Sequence, residues 1–74
     1  MGEYHYLKQQ VDAMYRRARV GLDRCDNVTA ALDGSGVTRM TAWKIQNGHR
    51  CTIDKLLTVI RALDEAGVDM NDND

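Results

Sequence analysis

The chain has 74 residues, of which 43% are hydrophobic and 28% are charged. A chain of this length has room for one domain, and its composition is too apolar for a disordered protein. Neither proline nor phenylalanine occurs in it. Both absences disfavour an all-β fold, because such a fold needs many turns and aromatic strand residues. We therefore expect an all-α fold.

The net charge of −1 hides an uneven distribution along the chain. Residues 16–50 carry seven Lys/Arg against three Asp, whereas residues 51–74 carry two Lys/Arg against six Asp/Glu. Binding surfaces respond to the local field rather than to the total charge. The basic middle of the chain is therefore compatible with a polyanionic partner such as nucleic acid.

The sequence carries no signal for a membrane, a metal or a cofactor. No apolar stretch approaches the roughly 20 residues of a membrane span, and the first residues do not read as a signal peptide. Cys25 and Cys51 lack the paired spacing of a zinc site. We expect a cytoplasmic protein with free thiols, no metal and no cofactor.

The first predicted helix covers residues 4–22. Its apolar residues recur at the helical period and form one stripe, which consists of Tyr4, Leu7, Val11, Met14, Ala18 and Leu22. Arg16 lies nearly opposite this stripe and Arg17 flanks it. Two interpretations of these arginines stay open, a solvated face or a contact with phosphate groups.

Two short helices are predicted next. The second helix begins near Val28, behind the N-cap candidates Asp26 and Asn27, and ends at residue 33 or 34, before Gly36. The third helix covers residues 38–47. Thr38 is its expected N-cap and Gly48 its expected left-handed terminator. Ala42 and Ile45 share an apolar face with Val37, whereas Met40, Trp43, Lys44 and Asn47 fall on the other side.

The fourth predicted helix starts after Thr52 and is closed by Gly67. Its stripe contains Ile53, Leu56, Leu57, Ile60 and Leu63. Additional apolar residues widen one edge, which predicts a self-contact through Leu56, Val59, Leu63 and Ala66, extended by Val68 and Met70. We place the domain at residues 1–67 and expect residues 68–74 to be an acidic, frayed tail.

A stretch in the middle of the chain resembles a known family. Gly36-Val37-Thr38 opens it, Asn47-Gly48-His49-Arg50 closes it, and the segment from Thr52 to Leu63 follows at the right spacing. These features resemble the helix-turn-helix of phage Cro/repressor proteins. The resemblance implies a small lambda repressor-like bundle of four to five helices, in which the third helix enters the major groove of DNA.

The resemblance also implies roles for individual residues. Arg39, Met40 and Lys44 fall where the family reads base edges, and arginine suits a bidentate contact with guanine. The contacts with the sugar–phosphate backbone that the resemblance implies are made by Asn27, Thr38, Thr41, Asn47, His49 and Arg50. The phosphate interpretation of the first helix would add Arg16 and Arg17 to these contacts. Trp43 stays open between partial burial against a neighbouring helix or partner and contact with the DNA backbone.

The leading hypothesis is a sequence-specific transcriptional regulator of double-stranded DNA, a Cro-type repressor that binds a palindromic operator as a homodimer. It would act in a prokaryotic cell or a phage-infected host. The sequence does not separate this repressor from an activator that contacts RNA polymerase. The alternative is a protein-interaction module of the antitoxin or adaptor type, in which Trp43 and Met40 contact the partner. No catalytic constellation is present in the sequence, so we do not expect an enzyme.

Overall fold

The computed structural model describes residues 2–71, with side-chain surroundings from residue 7 onward. It contains the helices α1 (Gly2–Arg24), α2 (Val28–Leu32), α3 (Arg39–Gln46) and α4 (Ile53–Glu65). There is no strand within these residues, so the all-α prediction is confirmed. None of these helices is both long and apolar enough to cross a membrane.

Local sequence signals fix where the helices begin and end. The side-chain oxygen of Asn27 accepts a hydrogen bond from the backbone N–H of Ala30 at 3.1 Å and caps α2. Thr52 caps α4 in the same way by accepting from the N–H of Lys55 at 3.3 Å. Gly48 and Gly67 follow α3 and α4 with φ values of 79° and 78°, which confirms their predicted role as terminators.

An ordered turn at residues 33–38 joins α2 to α3. The Ser35 hydroxyl donates to the carbonyl oxygen of Leu32 at 2.6 Å and accepts from the N–H of Val37 at 3.2 Å. Thr38 occupies the N-cap position of α3, but its hydroxyl makes no capping hydrogen bond. The α2–α3 pair is therefore connected by a turn that one side chain holds together.

The core lies where α1 and α2 pack against α3 and α4. Its centre consists of fully buried aliphatic side chains, namely Leu22, Ile45, Leu56, Leu63 and Val59. Ala18 and Leu22 confirm the buried part of the predicted α1 stripe, and Val11 and Met14 are partly buried beside it. Leu7 is exposed, so α1 extends beyond the core. Tyr4 lies outside the residues whose side chains are described.

The predicted self-contact on α4 is wrong for three of its residues. Leu56, Val59 and Leu63 are fully buried in the core, so they are not available to a second chain. Ala66 is exposed. Two members of the predicted core stripe, Ile53 and Leu57, are instead about half exposed. The apolar surface of α4 that faces solvent is therefore the one that contains these two residues.

The tail prediction is wrong for residues 68–71. Met70 is buried and packs against Gly21, where an added Cβ would lie 2.7 Å from the Met70 Cγ atom. The Arg24 guanidinium donates to the carbonyl oxygens of Asp69 and Asn71 at 3.3 and 2.6 Å, and pairs with the Asp69 carboxylate. Val68 is half-buried. These contacts fasten the segment to the end of α1, whereas residues 72–74 lie outside the described part of the chain.

Candidate functional site

Helix α3 has one buried and one exposed side. Ala42 and Ile45 are buried in the core and anchor the helix, as their spacing predicted. The exposed side, here called the α3 face, consists of Arg39, Met40, Trp43, Lys44, Gln46 and Asn47. No residue of α3 is acidic, so this face combines two positive charges with apolar and amide groups.

All three predicted base-reading residues lie on the α3 face. Met40 is 61% exposed, and Arg39 and Lys44 are also exposed. Arg39, Met40 and Trp43 surround an open concavity of about 420 Å³. Because residues three and four apart are neighbours on a helix, the Trp43 ring lies beside both Arg39 and Met40. Long side chains of mixed character are thus grouped on one exposed side of α3.

Trp43 is 50% exposed, and its ring stacks on His49 with a centroid distance of 5.4 Å and an interplanar angle of 18°. The chain reaches this position because Gly48 reverses it and the His49 N–H donates to the Lys44 carbonyl at 2.7 Å. Neither interpretation of Trp43 from the sequence anticipated this stack. It joins the α3 face to the loop that follows α3.

His49 also lines a second feature, here called the basic cleft. It has a volume of about 220 Å³ and is lined by Asp12, Tyr15, Arg16, Arg19, Gly48, His49 and Arg50. Arg50 donates to the Asp12 carboxylate at 3.1 Å, and its Cζ atom lies 5.0 Å from the centre of the Tyr15 ring. Three arginines and a histidine therefore face one carboxylate.

Tyr15 lines the basic cleft and fixes its shape, a role that the sequence did not predict for this residue. Its ring is buried next to the predicted stripe of α1. Its hydroxyl donates to the Cys51 carbonyl at 2.8 Å and accepts from the Cys51 N–H at 3.0 Å. These bonds hold the loop after α3 against α1. Tyr15 combines an apolar ring with a polar tip at the edge of an apolar stripe, which suits a buried ring with a hydrogen-bonded hydroxyl but does not identify Cys51 as its partner.

The predicted phosphate-contacting residues do not all lie together. Arg16, His49 and Arg50 meet in the basic cleft. Arg17 lies elsewhere, in what we call the mixed-charge groove between α1 and α4. This groove of about 750 Å³ is lined by Arg17, Asp54, Leu57, Thr58, Ile60, Arg61, Asp64 and Met70. The structure thus separates Arg17 from the other predicted contacts.

Four polar residues complete the account of the predicted backbone contacts. Thr41 is only 6% exposed, which leaves little of its surface for the expected contact with DNA. Thr38 and Asn47 are exposed at the two ends of α3, and the Asn47 amide donates to the Trp43 carbonyl at 2.8 Å. Asn27 caps α2 and lies apart from the basic cleft, beside Cys25 and Asp26.

Comparison with models of protein families, with curated proteins and with solved structures found no match for this chain.

Proposed function

We propose that the protein is a sequence-specific regulator that binds double-stranded DNA, with α2 and α3 as its helix-turn-helix. The observation that carries this proposal is the continuity of two surfaces. The α3 face has no acidic residue of its own, although Asp23 of α1 borders it, and it joins the basic cleft through the stack of Trp43 on His49. A helix that reads bases needs exposed long side chains beside groups that bind phosphate, and these two surfaces supply both.

The dimensions and chemistry of the α3 face suit the major groove. An α-helix with its side chains is about 10–12 Å across, and the groove is about 12 Å wide. Arg39 is suited to a bidentate contact with guanine, Met40 to a thymine methyl group, and Lys44 to guanine or phosphate. In this proposal the protein is a Cro-type repressor that covers an operator and performs no chemistry.

We further propose that the protein binds DNA as a homodimer, because one short helix contacts only a few base pairs. A twofold interface uses the same patch on both copies, so this patch must be self-complementary. The mixed-charge groove meets this condition, since Arg17 and Arg61 lie with Asp54 and Asp64 around the half-exposed Leu57. Light scattering at micromolar concentration should give the mass of a dimer. A monomer with and without DNA would contradict this part of the proposal.

A second candidate function is supported by one observation on the same face. Met40 and Trp43 are 61% and 50% exposed around the concavity beside Arg39. Aromatic residues and methionine are enriched at protein interfaces. An antitoxin or adaptor module that binds another protein through these two side chains would use the same geometry. Its affinity would depend only weakly on salt.

Selection of bound duplexes from a random pool tests the proposed function directly. We expect a palindromic motif, whose spacing reports the arrangement of the two copies. On that motif Arg39→Ala should cost about 1–3 kcal/mol and relax the preference at one base position. Lys55→Ala removes an exposed positive charge from α4, outside both surfaces, and serves as the matched control. A pool without enrichment, or an Arg39→Ala variant that binds the selected motif like wild type, would overturn the proposal.

A further inference from the structure

We propose that the basic cleft is a phosphate-binding site in which the Asp12 carboxylate competes with the bound phosphate for Arg50. The ligand is a phosphate group with exposed oxygens, and its natural source is the backbone of a DNA duplex. Only the choice of DNA as the source of the phosphate rests on the proposed function. It assigns a role to Asp12 and Arg19 that the resemblance does not imply.

The ion pair between Arg50 and Asp12 is suited to exchange. The two side chains are 63% and 44% exposed, so water and salt screen their attraction. The Arg50 guanidinium also contacts the Tyr15 ring, and this contact does not depend on the Asp12 carboxylate. When a phosphate arrives, Arg50 can therefore release Asp12 and keep its position. A phosphate oxygen offers it an equally charge-assisted acceptor.

The other groups of the cleft come from two elements that face each other. Asp12, Arg16 and Arg19 follow one another at four and three residues and so share one side of α1. His49 and Arg50 approach from the loop after α3. Asp12 is the only acid among the lining residues. The volume of about 220 Å³ is several times the roughly 30 Å³ of a water molecule, which leaves room for a phosphate group.

The position of Asp12 lowers the affinity of the basic cleft for a phosphate group. Each phosphate that enters must displace this carboxylate and tolerate its negative charge nearby. Asp12→Asn removes the charge, keeps the size of the side chain and frees Arg50. We expect a roughly threefold to tenfold gain in affinity for duplex DNA of any sequence, with a salt dependence steeper by up to about 0.9 in the log–log slope because one negative charge beside the DNA is removed.

The test measures two ligands on three variants whose folding is checked by circular dichroism. The variants are Asp12→Asn, Arg19→Ala and the control Glu65→Gln, which makes the same charge change at the exposed end of α4. The ligands are a duplex of random sequence and inorganic phosphate at constant ionic strength. Trp43 is the only tryptophan of the chain and stacks on His49, so its fluorescence reports occupation of the cleft.

We expect Asp12→Asn to bind both ligands more tightly than Glu65→Gln, and Arg19→Ala to bind both more weakly than wild type. If Asp12→Asn and Glu65→Gln behave alike, or Arg19→Ala has no effect, the cleft is not the phosphate site, even when wild type still selects a DNA motif. If the variants differ for inorganic phosphate while no duplex binds, the phosphate site stands and DNA as its source is overturned along with the proposed function.

Discussion

The two sides of α1 carry arginines that are neighbours in the chain but lie in different electrostatic surroundings. Arg16 lies in the basic cleft, where Arg19, His49 and Arg50 face one carboxylate. Arg17 lies in the mixed-charge groove, where Asp54 and Asp64 balance it and Arg61. The difference shows that the elements packed opposite an arginine decide what it can bind. A count of the basic residues in the segment does not.

The largest expected effect is a loss of stability that tests the orientation of α4, the helix packed against α1 in the mixed-charge groove. Leu56 is fully buried behind the mixed-charge groove, whereas its neighbour Leu57 is 49% exposed in it. Leu56→Ala should lower the free energy of unfolding by about 2–5 kcal/mol because it leaves a cavity. Leu57→Ala should cost less than about 1 kcal/mol, since half of its surface is already in water.

Urea denaturation, followed by Trp43 fluorescence at a protein concentration low enough to keep the chain monomeric, compares the two variants. Equal losses of stability would mean that α4 is rotated relative to the arrangement described, and the two surfaces would then no longer be separate.

A smaller effect is expected at the end of the mixed-charge groove. Met70→Ala should lower the free energy of unfolding by about 2 kcal/mol, because the side chain is buried against Gly21. Gly21→Ala should also destabilise the fold, since its Cβ would lie 2.9 Å from the Leu63 Cδ1 atom as well as close to Met70. The losses should be less than additive in the double variant, where the shortened residue 70 makes room.

The same denaturation measurements decide this point. If Met70→Ala is as stable as wild type, Met70 is not buried and the segment after α4 lies in solvent. Strict additivity in the double variant would show that residues 21 and 70 do not touch.

The smallest effect compares Arg16 and Arg17 directly. Arg16→Ala should weaken binding to all duplexes and reduce the log–log salt slope by about 0.9, the value for one phosphate contact. At a protein concentration where light scattering shows the dimer of both variants, Arg17→Ala should leave the slope unchanged, because that side chain lies in the groove on the other side of α1. Fluorescence titrations of a labelled duplex over a range of sodium chloride concentrations measure both slopes. Equal slopes for the two variants would remove the distinction between the surfaces.

Local features of the fold were predictable from the sequence because they depend on residues close in the chain. Asn27 and Thr52 cap helices, and Gly48 and Gly67 end them, through contacts within a few residues. The exposed side of α3 was also predictable, since the burial of Ala42 and Ile45 follows from their spacing. The identification of α2 and α3 as a DNA-binding helix-turn-helix stays a prediction.

Features that depend on distant parts of the chain were not predictable in this way. Helix α4 carries aliphatic residues around much of its circumference, so periodicity did not reveal that Val59 faces the core and Leu57 faces solvent. The basic cleft requires Tyr15 to meet Cys51, which lies 36 residues away. No pattern within either segment encodes that meeting. The burial of Met70 likewise depends on the absence of a side chain at Gly21.

The double hydrogen bond between the Tyr15 hydroxyl and the Cys51 peptide has a mechanical consequence. It ties the junction between α3 and α4 to the middle of α1, through both backbone polar groups of one residue. Tilting α3 about that junction would break both bonds at once. Helix α3 is therefore held at a fixed angle, so under the proposed function any bending needed for a fit would come from the DNA.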